Sequence, residues 1–138
     1  MAKFHISEVL SVGTGYLVAR GGFGAFCGVL KHMTGESIFT HVIPRALRVC
    51  GPAVVEAYPW MGTLDTADIG TTAESCSRWV ARVARQHLDV DVTGEGPMLE
   101  VEPLPVGVWQ SLDPLAEAIE MFGRDRVVTV QVHERGAV

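Results

Sequence analysis

The segment 30–50 constrains the fold most, because it combines a helix end, a turn and a helix start. Apolar residues recur at helical spacing from Phe23 to Met33, and Gly35 follows where a helix commonly ends in the left-handed conformation. Pro44 suits the first turn of a second helix, since N–H groups there have no partner to lose. The segment therefore predicts two helices, one ending near Met33 and one beginning near Pro44.

The turn between these helices brings polar side chains together. Thr40 and His41 precede the second helix, and Arg45 lies four residues after His41, so an early helix start would place His41 and Arg45 on one face. One interpretation is a contact point for an anion or a partner near the helix N-terminus. The alternative is a local cap, in which Thr40 satisfies backbone N–H groups and Arg45 is solvated.

Length and composition favour one globular domain, residues 1–138. The 138 residues are 48% apolar and 20% charged, which is typical of a folded protein with its own core. No apolar run approaches the roughly 20 residues that span a membrane, and the first ten residues lack the apolar core of a signal peptide. We therefore expect a cytoplasmic protein without a membrane segment.

The net charge of −5 is unevenly distributed. Residues 1–70 carry equal numbers of basic and acidic side chains, so residues 71–138 supply the whole net charge. A broad nucleic-acid interface needs a basic face, so direct nucleic-acid binding is disfavoured. An acidic surface is compatible with a partner that itself binds nucleic acid.

Helices dominate the predicted N-terminal portion. Residues 4–19 favour two short helical pieces around a Gly-Thr-Gly turn, with Ser7 as cap, although a hairpin is also compatible. Gly51-Pro52 predicts a break or kink in the helix that Pro44 begins. Thr71 and Glu74 match a capping box, and the apolar face that follows predicts a helix to Leu88.

The C-terminal portion predicts strands around a helix. Residues 98–104 alternate apolar and acidic side chains, as a half-buried strand does. Asp113-Pro114 begins a predicted helix that Gly123 ends, and residues 126–134 are rich in β-branched residues. We therefore predict an α+β fold, in which a helical N-terminal portion packs against a small mixed sheet containing a C-terminal β-α-β unit.

Two further features are candidate contact sites. Arg78, Arg82 and Arg85 form a stripe opposite the apolar face of their helix. The stripe is either a docking surface for an acidic partner, phosphate or nucleic-acid backbone, or an ordinary solvated face. Trp60 lies in a Pro-flanked loop, so it is either a core residue or an exposed interface anchor.

Catalytic and metal-binding residues do not form a recognised motif. Ser7, Cys27 and Ser111 are possible nucleophiles, but none lies in a hydrolase signature. The three cysteines include no CxxC pair, and the histidines lack metal-ligand spacing. Glu100 and Glu102 would share a strand face, more often a solvated one than an acid–base pair. The sequence therefore favours a protein that is not an enzyme and has no cofactor or metal.

Four segments carry a resemblance to a known group of proteins. HISEVLSVGTGYLV, LKHMTGESIFTHVIPRAL, LEVEPLP and DPLAEAIEMFGRDRVVTV are similar, in that order, to a family of small uncharacterised bacteriophage and prophage proteins. The most specific match is the pattern MTG[DE]xxFTHxxPRA, at residues 33–46. Gly13 stands where that family usually has Thr, and residues 106–111 lack its His-containing segment.

The resemblance implies a setting and a class of function. It implies a phage accessory protein in the cytoplasm of a bacterial host, acting by binding a host or defence-system protein, as inhibitors of CRISPR effectors do. The alternative is a small-molecule-binding domain or enzyme with a site around His41 and Arg45, and a homo-oligomer is compatible with either. The candidate contact residues are Thr40, His41, Arg45, Trp60, Arg78, Arg82 and Arg85.

Overall fold

The computed structural model describes residues 2–93 and 95–110. The chain divides into two units, Met1–Val108 and Trp109–Val138, and every element below lies in the first. The helix predicted from Asp113 to Gly123 and the strand predicted over 126–134 lie outside the described residues. The C-terminal β-α-β unit and the single-domain assignment therefore stay predictions.

The described elements confirm the α+β class. The helices are α1 (Ile6–Thr14), α2 (Gly22–Thr34), α3 (Ile43–Ala57) and α4 (Ala73–Leu88), and the strands are β1 (Ala2–His5) and β2 (Met98–Val101). Two 3₁₀ turns, Thr40–Val42 and Pro59–Thr63, precede and follow α3.

The two described strands form an antiparallel pair. Ala2 lies opposite Val101, and His5 lies opposite Met98. Strand β2 is shorter than the predicted strand over 98–104. Glu102 consequently lies beyond the strand, and the prediction that it shares a strand face with Glu100 is wrong.

Helix α1 is the most deeply buried element. Its apolar side chains Ile6, Val9, Leu10 and Val12 are almost fully enclosed, and each such burial stabilises the fold by about 1.5–3 kcal/mol relative to exposure. The prediction of two helical pieces is wrong, because α1 continues through Gly13 and ends at Gly15 in the left-handed conformation. The cap is His5, not Ser7.

Helix α3 runs without interruption through Gly51-Pro52, so the predicted break is wrong. A Cβ atom at Gly51 would lie 3.2 Å from the Val12 carbonyl oxygen of α1, and one at Gly13 would lie 3.0 Å from Met61 Sδ. Both glycines therefore permit close approach of α1 and the segment containing α3. Tertiary packing of that face offsets the local cost of Pro52 within the helix.

A buried chain of hydrogen bonds attaches the loop before α2 to α1. The Ser11 hydroxyl donates to the Ser7 carbonyl at 2.9 Å and accepts the Val18 N–H at 2.9 Å. The Ser7 hydroxyl oxygen accepts the Arg20 N–H at 2.8 Å. The two serines thus satisfy the backbone of a loop that has no strand or helix to supply its partners.

His5 extends this network to the segment before β2. Its Nε2 lies 3.1 Å from the Thr93 carbonyl oxygen, to which it donates. Its Nδ1 then accepts from the Ser7 N–H at 3.2 Å and from the Ser7 hydroxyl at 2.8 Å. The Glu8 carboxylate accepts the His5 N–H, completing a capping box at the start of α1. One buried imidazole therefore connects two segments that are distant in sequence.

Two further side chains hold β2 and its edge. His32 Nε2 lies 2.8 Å from the Val101 carbonyl oxygen, and the Tyr58 hydroxyl donates to the Glu100 carbonyl at 2.8 Å. Partial burial raises the pKa of the Tyr58 hydroxyl, so it remains a donor across the physiological pH range.

Helix α4 confirms the helix predicted to end at Leu88, with its cap displaced by one residue. Thr72 and Ser75 form the capping box, not Thr71 and Glu74. Trp79 and Val83 on its inner face are buried, and the Trp79 indole N–H donates to the Asp65 carbonyl at 3.0 Å. The segment that leads into α4 is therefore attached to the helix.

Alanine substitutions at two helical glycines should have opposite effects on stability. Gly28→Ala should raise the free energy of unfolding by about 0.5–1 kcal/mol, since Ala favours the helix and no described atom lies within 4 Å of the added methyl group. Gly51→Ala should lower it by about 1–3 kcal/mol, because the methyl group meets the Val12 carbonyl of α1. Urea denaturation measures both, and equal effects would contradict the close approach described for Gly51.

Ser11→Ala should lower the free energy of unfolding by about 1–3 kcal/mol, because it leaves the Val18 N–H buried without an acceptor. Ser77→Ala on the exposed face of α4 is the matched control and should change stability by less than about 0.5 kcal/mol. Denaturant unfolding followed by circular dichroism compares the two variants. A Ser11 variant as stable as the Ser77 variant would argue against the network.

Candidate functional site

An exposed aromatic side chain lies at the centre of the most specific segment of the resemblance. Phe39 is 70% exposed, and its ring stacks on the His41 imidazole with centroids 5.9 Å apart and planes 11° apart. The 3₁₀ turn Thr40–Val42 fixes this pair, because Val42 is buried and leads directly into α3. Phe39 was not among the contact residues predicted from the sequence.

The structure places Thr40, His41 and Arg45 at the start of α3. Thr40 and His41 are exposed, and Arg45 is half-buried in the first turn of the helix. Because α3 begins at Ile43, His41 lies in the preceding 3₁₀ turn, whereas Arg45 lies in the first turn of the helix. The N-cap position belongs to Val42, so the interpretation of Thr40 as the cap of α3 is wrong.

Trp60 forms an aromatic cluster at the end of α4. Its indole stacks on the His87 imidazole, with centroids 4.8 Å apart and planes 12° apart, and meets the edge of Tyr58 at 6.3 Å. Trp60 itself is half-buried, whereas its neighbour Met61 belongs to the core. Trp60 therefore combines the two predicted roles, since one part packs on α4 and another faces solvent.

The three arginines of the stripe on α4 differ in whether they form ion pairs. Arg78 pairs with Glu74 at 3.1 Å, and Arg85 pairs with Asp91 at 3.1 Å, all with exposed side chains. Such surface pairs add only about 0–1 kcal/mol of stability, but they reduce the local positive charge. Within the described part of the chain Arg82 makes no such pair, and it lines a cleft on the flank of α4.

The structure thus divides the predicted contact residues into two groups. One group belongs to α4, which carries the three stripe arginines and contacts Trp60 through His87. The other group lies at the start of α3 and consists of Thr40, His41 and Arg45. The sequence alone does not reveal this division. The Trp60–His87 stack in particular joins residues from different elements, and no local pattern indicates it.

The nucleophile candidates are poorly placed for catalysis. Ser7 is buried, and its hydroxyl is engaged with His5 and Arg20. Burial raises the pKa of the Cys27 thiol and raises that of Cys50 to about 11, so both favour the less reactive thiol form at neutral pH. Ser111 lies outside the described residues.

Residues 2–93 and 95–110 contain no group of three or more His, Cys, Asp or Glu side chains arranged to hold a metal ion. No helix within that range is both long enough and apolar enough to cross a membrane.

Comparison with known proteins gives one match. The model of a family described as a domain of unknown function, DUF7736, matches residues 4–64, less than half of the chain. The matched range contains β1 in part, α1, α2, α3 and both 3₁₀ turns, and ends before α4 and β2. No curated protein and no solved structure matches the chain. The segment from Met33 to Ala46, with Phe39 and His41, thus lies inside the range that this family of unknown function shares.

Proposed function

We propose that this chain is a phage accessory protein that acts in the host cytoplasm by binding a host or defence-system protein through the Phe39–His41 surface. The resemblance described above supports the phage setting, because its most specific segment, residues 33–46, contains this surface. An inhibitor of a bacterial defence system is the role that fits this setting.

The exposure of Phe39 is the observation that carries the proposal. A phenyl ring that is 70% exposed leaves most of its apolar area in water, and burying it against a partner releases about 25 cal/mol per Å². The stack on His41 and the 3₁₀ turn hold the ring in place before binding. A pre-positioned aromatic side chain loses little conformational entropy on association, which is typical of an interface anchor.

The charge of the chain indicates the chemistry of the partner. The net charge of −5 arises entirely from residues 71–138, and an acidic protein associates faster with a basic surface. A defence protein that binds nucleic acid offers such a surface. The partner we propose is therefore basic around an apolar pocket that accepts Phe39.

A second candidate function is small-molecule binding or catalysis around His41 and Arg45. It is favoured by the position of both residues at the start of α3, where the first turn carries no acidic side chain. Backbone N–H groups at a helix start and a nearby guanidinium suit an anionic ligand. This function depends on His41 and Arg45 rather than on the Phe39 ring.

Phe39→Ala should abolish capture of the partner without destabilising the fold. In an affinity pull-down from nuclease-treated host lysate, we expect one stoichiometric protein partner for the wild type and at least a tenfold loss for the variant, as for an interface hot spot. The thermal midpoint should be unchanged, because the ring is mostly exposed.

Phe23→Ala is the matched control, since Phe23 is 48% exposed in the first turn of α2. It should capture the partner as the wild type does. Undiminished capture by the Phe39 variant would contradict the proposed surface, and the absence of any stoichiometric partner would contradict protein binding in that host. Loss of function on His41→Ala but not on Phe39→Ala would favour the second candidate.

A further inference from the structure

A cleft of about 300 Å³ lies between α4 and the segment that follows the 3₁₀ turn Pro59–Thr63. The apolar part of its lining comes from Leu64, Trp79 and Val83, and the polar part comes from Asp65, Asp68, Arg82 and Gln86. Apolar walls with a few convergent polar groups are typical of small-molecule sites. The cleft is separate from the Phe39–His41 surface, and the inference below does not depend on the proposed function.

The cleft wall is fixed before any ligand binds. The Trp79 indole N–H donates to the Asp65 carbonyl at 3.0 Å, and the Asp65 carboxylate accepts the Ala67 N–H at 2.9 Å. Ile69, at the far end of the segment, is buried in the core. The segment 64–69 is therefore attached to α4 at Asp65 and to the core at Ile69, which reduces the entropy lost when a ligand binds.

Opposite charges share this cleft without neutralising each other. Arg78 and Arg85, on the same helix, each hold a carboxylate at 3.1 Å. Among the described residues, by contrast, neither Arg82 nor Asp68 forms an ion pair or a side-chain hydrogen bond, although both line the cleft. Their hydrogen-bonding groups are thus available to a ligand that carries both signs of charge.

The lining defines the class of this ligand. Two carboxylates and one guanidinium are complementary to a ligand that carries a cation and a carboxylate, and the half-buried Leu64 offers apolar contact to an aliphatic stem. We propose that the cleft binds a free basic amino acid, arginine or lysine. The side-chain cation meets Asp65 and Asp68, the stem packs on Leu64, and the α-carboxylate meets Arg82.

Gln86 completes the recognition of the α-carbon. Gln86 lines the cleft one helical turn from Arg82, and in the proposed complex its amide oxygen accepts a hydrogen bond from the ligand's α-ammonium group. An arginine or lysine side chain within a partner protein carries the same cation but has no free α-carboxylate. Arg82 is therefore the residue that distinguishes the free amino acid from a basic side chain within a protein.

Titration of the intact chain with L-arginine tests this proposal. The ¹⁵N–¹H resonance of the Trp79 indole reports on the cleft, because that N–H holds the segment at Asp65. We expect saturable shifts with L-arginine. Agmatine, which lacks the carboxylate, and L-citrulline, which lacks the side-chain charge, should each bind about tenfold more weakly, as expected for the loss of one charged hydrogen bond.

Substitutions of the stripe arginines distinguish binding in the cleft from binding elsewhere on the surface of α4. Arg82→Gln should weaken L-arginine about tenfold and leave agmatine unchanged, since agmatine has no carboxylate to lose. Arg78→Gln is the matched control, because Arg78 lies one turn away, pairs with Glu74 and does not line the cleft. Asp68→Asn should weaken both ligands.

Three results would overturn the proposal. The first is the absence of any Trp79 shift at about 10 mM L-arginine, which is weaker than a specific small-molecule site requires. The second is equal affinity for L-arginine and L-citrulline, and the third is an equal effect of Arg82→Gln and Arg78→Gln. None of these results bears on capture of a protein partner through Phe39, so the two proposals fail independently.

Discussion

The buried hydrogen bonds of His5, Ser7 and Ser11 are the constraint on which the rest of the described structure depends. They occupy the start of α1 among the buried side chains of Ile6, Val9 and Leu10, so an unpaired polar atom there costs about 1–3 kcal/mol. Their partners are the Val18 and Arg20 N–H groups and the Thr93 carbonyl. The same few atoms thereby attach both the loop into α2 and the segment into β2 to the start of α1.

This constraint explains why the range matched by the domain of unknown function is not a complete core. Residues 4–64 contain the histidine and both serines, but the carbonyl that His5 requires belongs to Thr93. Trp79 on α4 and Leu99 on β2 also lie beyond the match, and both are buried. The shared segment therefore holds the most restrictive interactions of the fold, while the surrounding chain supplies the surfaces that enclose it.

Predictions from the sequence succeeded where the physical cause is local. Gly35 ends α2 and Pro44 begins α3 as expected, because backbone conformation and a missing N–H act within one turn. Gly51 was misinterpreted as a helix break, since only the fold shows that α1 approaches it. The hydrogen bond from His5 to the Thr93 carbonyl and the ion pair between Arg85 and Asp91 were equally hidden, because each depends on a residue distant in sequence or brought close by a loop.

Because two of the three stripe arginines on α4 are paired, long-range attraction and recognition at contact depend on different charges of the chain. Glu74 and Asp91 compensate Arg78 and Arg85, so the stripe adds little to the potential of a chain that is acidic overall. Long-range attraction then favours basic partners, whatever surface they finally contact. Arg82 acts only within its cleft, where its fork of N–H donors selects a carboxylate by geometry. In the site proposed above, a cation drawn by the acidic surface is therefore held more tightly when it also carries the carboxylate that Arg82 binds.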